Sequence, residues 1–298
     1  MQTAFLTIFG EVLFDNFPDG SRILGGAPFN VAWHLQAFGQ QPLFISRIGE
    51  DEAGREILAA MQNQGMTQAG LQIDAAHPTG SVAISITDGQ PSYRILEHQA
   101  YDYIDSKALG DMLRKGVLYH GSLALRNHVS RQALKDLKHT WHGLVFLDVN
   151  LRAPWWQADD VWQWISAADW LKLNDEELQI LLPSEQSMRD KMLFLQQRYR
   201  LQGLLVTCGS QGALALTADG EFASIAPAGD IEVVDTVGAG DAFAAVMLLG
   251  IAEHWPLSLT LQRAQDFASA LVGQRGATVA DPMFYRKFVD AWQGKRAD

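Results

Sequence analysis

The 298-residue chain predicts a doubly wound α/β fold, in which a mainly parallel sheet carries helices on both faces and a small β lid stands beside it. Three observations predict this. Short runs rich in β-branched and aromatic residues alternate with longer amphipathic stretches, the pattern of strands joined by helical crossovers. Two segments, about 11–24 and 79–96, interrupt that rhythm with period-two patterns. An apolar content of 48% is ample for a large core.

In chain order, Ala4–Phe9, Pro42–Ile48, Val117–Tyr119, Leu144–Val149, Trp170–Leu173 and Leu204–Thr207 read as buried strands. Helical patterns follow most of them, at Asp51–Gln64, Ser130–His139, Asp159–Ala168 and Gln186–Arg200. The alternation Ser81-Val82-Ala83-Ile84-Ser85-Ile86 leads into Asp88-Gly89, a hairpin turn signal, which fits a lid strand better than a core strand. After residue 210 come short strands at Ala213–Thr217 and Phe222–Ile225, then helices over about 239–252, 257–273 and 283–293. No linker, low-complexity tract or internal repeat divides the sequence, so one domain spanning 1–298, with the lid strands inserted in it, is expected.

Charge and cysteine usage narrow the function classes. With 23 basic against 34 acidic residues the formal charge is −11, which disfavours nucleic acid and anionic membranes as partners. An anionic ligand must then be held by local dipoles, a metal ion or a few placed cations. Cys208 is the only cysteine, so neither an internal disulfide nor a thiolate metal cluster is expected. The apolar first residues lack a basic leader and meet Glu11 and Asp15 at once, unlike a signal peptide. The longest apolar run, Ala242–Ala252, is far short of the roughly 20 residues that span a bilayer. A cytoplasmic location is the expectation.

The most informative stretch is Asp235-Thr236-Val237-Gly238-Ala239-Gly240-Asp241, which sets small residues just before a long apolar helix. Backbone N–H groups at such a helix start have no intrahelical acceptor, and with the positive end of the dipole they suit phosphate oxygens. Asp241, in the first turn, is placed to take a proton from an incoming hydroxyl while Gly238, Ala239 and Gly240 stabilise the moving phosphoryl group. The alternative is that Asp241 merely caps its helix.

This string resembles the C-terminal signature of the PfkB, or ribokinase-like, carbohydrate kinases, which implies that Asp241 is the catalytic base and that the preceding amides form an anion hole. Gly25-Gly26-Ala27-Pro28-Phe29-Asn30-Val31-Ala32, with Ile48-Gly49-Glu50-Asp51 and Gly54, resembles the N-terminal signature. The resemblance implies sugar contacts at Asp15, Gly25, Gly26 and Asn30; read alone, the glycine pair could be a turn and Asn30 a helix cap. Asp148-Val149-Asn150-Leu151-Arg152 is similar to the family's D-x-N-x-R, with Arg152 implied at the substrate. Asn174-Asp175-Glu176-Glu177 is similar to its N-x-x-E, which implies Asn174 near the nucleotide phosphates and Glu177 holding magnesium through water; alone it could be a solvated helix start. Thr207, Gly209 and Gly212 match the loop that receives ATP, and Gly273–Thr278 the last loop on the nucleotide side. In many relatives a monovalent cation lies beside the anion hole, which implies potassium at Asp235. The lid strands imply a homodimer.

Pro28, His120-Gly121-Ser122 and Asp148–Trp155 look most like fructokinases, so fructose is the leading acceptor, with another ketose, ribose or a nucleoside as alternatives. Alignment sets Glu97 where fructokinases commonly carry a lid arginine, with Arg94 three residues earlier; an acid there would turn away phosphorylated or carboxylated sugars. A non-catalytic sugar- or nucleotide-binding module is the rival from another class. Phe9-Gly10-Glu11-Val12 lacks the G-x-G-x-x-G dinucleotide fingerprint, and neither a G-x-x-x-x-G-K-[ST] loop nor a protein-kinase motif set is present. The histidines show no metal spacing, and Trp155, Trp156, Trp162 and Trp164 suit packing more than ligand stacking.

Overall fold

Successive side chains of a strand point to opposite faces, so a strand apolar at every position needs a core on each side. The computed structural model, which describes residues 5–87, 90–109, 115–229 and 232–294, shows both cores. Its elements run β1 (Leu6–Phe9), β2 (Leu13–Asn16), β3 (Arg22–Gly25), α1 (Ala27–Ala37), β4 (Leu43–Gly49), α2 (Glu52–Asn63), β5 (Leu71–Asp74), β6 (Gly80–Thr87), β7 (Gln90–Ile95), β8 (Lys115–His120) and α3 (His128–His139). They continue with β9 (His142–Asp148), α4 (Ala158–Ile165), β10 (Trp170–Asn174), α5 (Asp175–Leu181), α6 (Met188–Tyr199), β11 (Gly203–Thr207), β12 (Ala213–Thr217), β13 (Phe222–Ile225), α7 (Ala239–Ala252), α8 (Leu257–Val272) and α9 (Pro282–Gly294).

Among the described residues the main sheet has nine strands in the order β13-β12-β11-β10-β9-β8-β1-β4-β5. Pairing is parallel from β5 through β11, and antiparallel where β12 and β13 finish the edge. Leu205, Phe146, Tyr119 and Ile8 face a core built with α1, α2, α7, α8 and α9. Their strand neighbours Leu204, Val206, Leu147, Leu118 and Phe9 face the opposite core, built with α3 to α6. The doubly wound expectation from alternating strands and helices is met.

A second sheet, β3-β2-β6-β7, stands over the carboxyl ends of the main strands. Its register sets Leu13 against Gly80, where a Cβ would lie 2.3 Å from the Val12 carbonyl oxygen, so the strands close only with glycine there. The Asp88-Gly89 turn signal lies outside the described residues. Three elements fall outside the expectations drawn from periodicity, α1, α5 and β5. Helix α1 is buried continuously from Pro28 to Leu35, so it lacks the apolar stripe by which an amphipathic helix is recognised.

Behind the lid, Arg126 makes paired bonds to Asp102 at 2.7 and 2.8 Å, donates to the Leu96 carbonyl at 2.6 Å, and lies over the Trp155 ring at 4.5 Å. Both charged side chains are almost wholly enclosed. Removing one partner strands the other charge in the interior. Arg126→Met is therefore expected to lower the unfolding free energy by about 3–5 kcal/mol. The double variant Arg126→Met/Asp102→Leu should cost less than the single one, as read from urea denaturation midpoints.

Candidate active site

Gly238 starts α7 with a left-handed φ of 80°, and a Cβ there would lie 2.5 Å from Ala277 Cα, so two loops meet at a distance only glycine permits. Its carbonyl accepts the first helical bond from the Ala242 N–H at 2.8 Å, while the Ala239 N–H donates to Thr236 at 3.3 Å. By helix geometry the Gly240 and Asp241 amides have no intrahelical acceptor, and the positive end of the dipole lies with them. Asp241 does not fold back to cap α7. Its Oδ2 accepts instead from Asn30 Nδ2 of α1 at 2.8 Å. Burial pushes the Asp241 carboxyl up to about 6, with Asp148 adding to the rise and Asn30, Lys172 and Arg152 opposing it.

This turn opens into a cavity of about 750 Å³ between the lid and the carboxyl ends of the central strands. Asp15, Gly25, Gly26, Asn30, Arg152, Asn174, Glu177, Thr207, Asp235, Gly238, Gly240 and Asp241 all line it. Ala239, Gly209 and Gly212 are not in the lining. Gly212 serves a local need, since a Cβ on it would lie 1.9 Å from the Ile225 carbonyl oxygen at the β12–β13 pairing.

Several side chains are fixed by backbone. Glu177 Oε1 accepts from the Leu151 N–H at 2.7 Å and Oε2 from the Asn174 N–H at 2.9 Å, while Asn174 Oδ1 accepts from the Glu177 N–H at 2.7 Å. Asn174 and Glu177 thus form a reciprocal capping box on α5, and burial raises the Glu177 carboxyl. Asp235 accepts from the Val237 and Gly276 N–H groups at 3.0 Å each, tying the α7 approach to the last loop. That loop is also latched to α1. Trp33 Nε1 donates to the Val279 carbonyl at 3.1 Å, the Val279 N–H donates to Tyr285 Oη at 3.4 Å, and Tyr285 Oη lies 3.0 Å from His34 Nδ1. Burial pushes His34 down to about 3, so it is neutral and Nδ1 can accept.

Sequence reasoning missed two cavity groups. Lys172 is a charge in an otherwise apolar strand, which was its available signal; its Nζ donates to Asp148 Oδ2 at 2.7 Å, and Tyr119 Oη donates to the same oxygen at 3.2 Å. The ammonium lies 3.6 Å from where a Cβ on Gly240 would stand, directly beneath the turn. Glu11 also lines the cavity, and burial pushes its carboxyl up to about 7. His120, in the segment similar to fructokinases, is fully buried, bonded to the Gly121 carbonyl at 2.9 Å, and outside the lining. One expectation needs correction. Glu97 is exposed beyond the end of β7, whose Tyr93 and Ile95 line the cavity while Arg94, by strand alternation, faces away.

The family model for pfkB family carbohydrate kinases matches residues 9–283. The chain belongs to this family. Among pfkB relatives, a fructokinase from Klebsiella pneumoniae is 30% identical over 92% of this chain and 95% of its own length. An aminoimidazole riboside kinase from Salmonella typhimurium is 29% identical over 92% and 91%. In fold, an ATP-bound fructokinase from Xylella fastidiosa superposes with a TM-score of 0.85 over all of both chains at 22% identity. A fructokinase double mutant from Vibrio cholerae O395, solved with fructose, ADP and potassium, gives 0.81 over 96% and 99% at 24% identity. The ribokinase-like expectation for the fold is met.

An aspartate that must be ionised to accept a proton loses activity when protonated. With Asp241 in the role of base that its position suggests, turnover efficiency on the sugar is expected to fall about tenfold per pH unit as pH drops below about 6, the position set by its raised carboxyl. Stability has the opposite sign. A folded-state carboxyl above its ordinary 3.8 binds its proton more tightly than the unfolded chain does, so its contribution turns unfavourable as pH rises from 3.8 to about 6. Asp241→Asn should flatten that part of a plot of melting temperature against pH.

Proposed function

We propose that the chain transfers the γ-phosphoryl group of ATP to a hydroxymethyl group of fructose, with Asp241 as the general base. The observation that carries this reading is the Asp241 carboxylate, held by Asn30 at 2.8 Å in the first turn of a helix whose amides open into the same cavity. Asp15, Gly25, Gly26 and Asn30 supply acceptors, donors and accessible backbone for a polyol, with Arg152 at the same end. The sugar hydroxyl gives its proton to Asp241, its oxygen forms the new bond to phosphorus, and the bond to the β-phosphate oxygen breaks to release ADP. The Gly238–Gly240 turn stabilises the charge carried by the moving group, with the Lys172 ammonium beneath it.

We infer that Asn174 and Thr207 serve the nucleotide; both line the cavity, as does Arg275, a further cation. No group of three or more acidic, histidine or cysteine side chains able to cage a metal occurs among the described residues. That fits magnesium, which keeps several waters and takes phosphate oxygens; Glu177, with both oxygens already accepting from backbone, suits a contact through water. When bound, magnesium neutralises charge on the phosphates. Asp235 and the backbone of the last loop would hold potassium.

Glu11, Asp15 and Asp241 give the acceptor end an acidic character that disfavours anionic sugars, an argument that no longer needs Glu97. Fructose is favoured over ribose, nucleosides and other ketoses by the fructokinase relatives. We also infer a homodimer through the lid, whose edge strand β7 exposes Tyr93 at 61%; light scattering on a sizing column should return twice the 32.9 kDa chain mass.

An ADP-release assay across fructose, tagatose, ribose and adenosine, with magnesium and potassium, is expected to show the highest efficiency on fructose. Asp241→Asn should lose at least about 100-fold in turnover while still binding ATP. Near wild-type turnover in that variant would remove Asp241 as the base, and no turnover of any sugar by the wild type would favour a binding module.

A further inference from the structure

Glu11 follows β1 and Gly10 at a crowded crossing of backbone. A Cβ on Gly10 would lie 2.4 Å from Pro28 Cγ, and one on Gly26 would lie 2.7 Å from the Glu11 carbonyl oxygen. These two contacts press Glu11 against the Gly25-Gly26 pair and the start of α1, at the acceptor end of the cavity. The residue is only 3% exposed. Its Oε2 is buried and has no hydrogen-bond partner among the described residues.

Buried carboxylate oxygens are ordinarily satisfied, because leaving one without a donor forfeits hydration with nothing in return. The charges around Glu11 do not supply that donor. Arg152 and Arg126 attract its charge and Asp241 repels it, yet none is bonded to Oε2. Arg126 gives its Nε and Nη2 to Asp102 and the Leu96 carbonyl, and its Nη1, though buried and without a partner among the described residues, is not bonded to Glu11. On the same wall Asn30 Oδ1 is also buried and unpartnered among the described residues, since its amide is given to Asp241. Two acceptors lacking donors, on residues that line one cavity, match a ligand rich in O–H groups.

We propose that Glu11 determines sugar specificity by accepting a hydrogen bond from a hydroxyl of the acceptor sugar other than the hydroxymethyl group that Asp241 deprotonates. This rests on the sugar-kinase reading above. The bond explains why an acid is retained in an enclosed wall beside a second acid, where charge repulsion alone would disfavour it.

The test uses the full-length enzyme, Glu11→Ala and Glu11→Gln, with fructose and fructose analogues each lacking one hydroxyl. Glu11→Ala is expected to raise the fructose KM by about 10- to 100-fold, the range of a hydrogen bond to a charged group, with the ATP KM within about twofold. One analogue should cost the wild type about tenfold or more in kcat/KM and the variant about twofold or less, since deleting either partner removes the same bond. Glu11→Gln keeps the side-chain shape and should lose less, with the same analogue singled out; it carries the test if the alanine variant does not fold. If both variants fold and every analogue costs wild type and variants alike, Glu11 touches no hydroxyl and the proposal is overturned. The kinase reading survives that result, because wild-type turnover of fructose establishes it separately; a wild type that phosphorylates no sugar overturns both.

Discussion

Helix α7 is apolar on every side and sinks into the core from the cavity wall, packed against α1 and α8. Only its first turn is open, at the cavity, where Gly240 is exposed, so the groups at its start are served by neighbours, by water or by a ligand. The bond from Asn30 to Asp241 is the consequence that organises the rest. It fixes the carboxylate on the cavity side, joins the two helices that carry the N- and C-terminal signatures, and leaves the turn's amides to face whatever anion enters. The left-handed Gly238 and its near-contact with Ala277 are the backbone conditions under which that turn can exist.

The charges around the turn explain how a chain of net charge −11 can hold a polyanion. Lys172 is enclosed and paired with Asp148, so it costs less to bury than a lone ammonium while its field still acts on the turn directly above. Arg152 and Arg275 add cations at the cavity wall. Opposed to them, Asp241 and Glu11 are acids held above their ordinary range by enclosure. The two signs are interleaved, since Lys172 and Arg152 act on Asp241 and Arg152 acts on Glu11, and the enclosing walls keep these interactions stronger than bulk water would.

Much of this was legible in the residues. Strands β1, β4, β8, β9, β10 and β11 announce themselves as short apolar runs, and the α7 turn is visible because glycines and an acid stand before a long apolar segment. Helix α1 escapes the same reading because it has no polar face to set its period. Strand β5 is only four residues long and half-exposed, too little for alternation to register. In the cavity wall most residues of the contiguous motifs are present, Ala239, Gly209 and Gly212 excepted, and Asp15 joins them from outside any motif, whereas Lys172 and Glu11 had no motif to mark them. Lys172 lies two positions before Asn174, in a run that reads as ordinary strand, and Glu11 belongs to a segment whose spacing mattered only for excluding a dinucleotide fold. The lid failed in another way: Glu97 shares the parity of Tyr93 and Ile95, which line the cavity, but β7 ends at Ile95, and alternation does not reveal where a strand stops.

The latch at Val279 reaches farther than its size suggests. Both backbone groups of one residue are gripped, the carbonyl by Trp33 and the amide by Tyr285, whose helix α9 takes no part in lining the cavity. Through Gly276 the gripped loop steadies Asp235, and through Ala277 it meets Gly238. The carboxy-terminal helix is therefore a buttress of the transfer centre. A chain cut before Tyr285 would retain every residue that lines the cavity, yet lose the brace that holds the turn at Gly238 in shape.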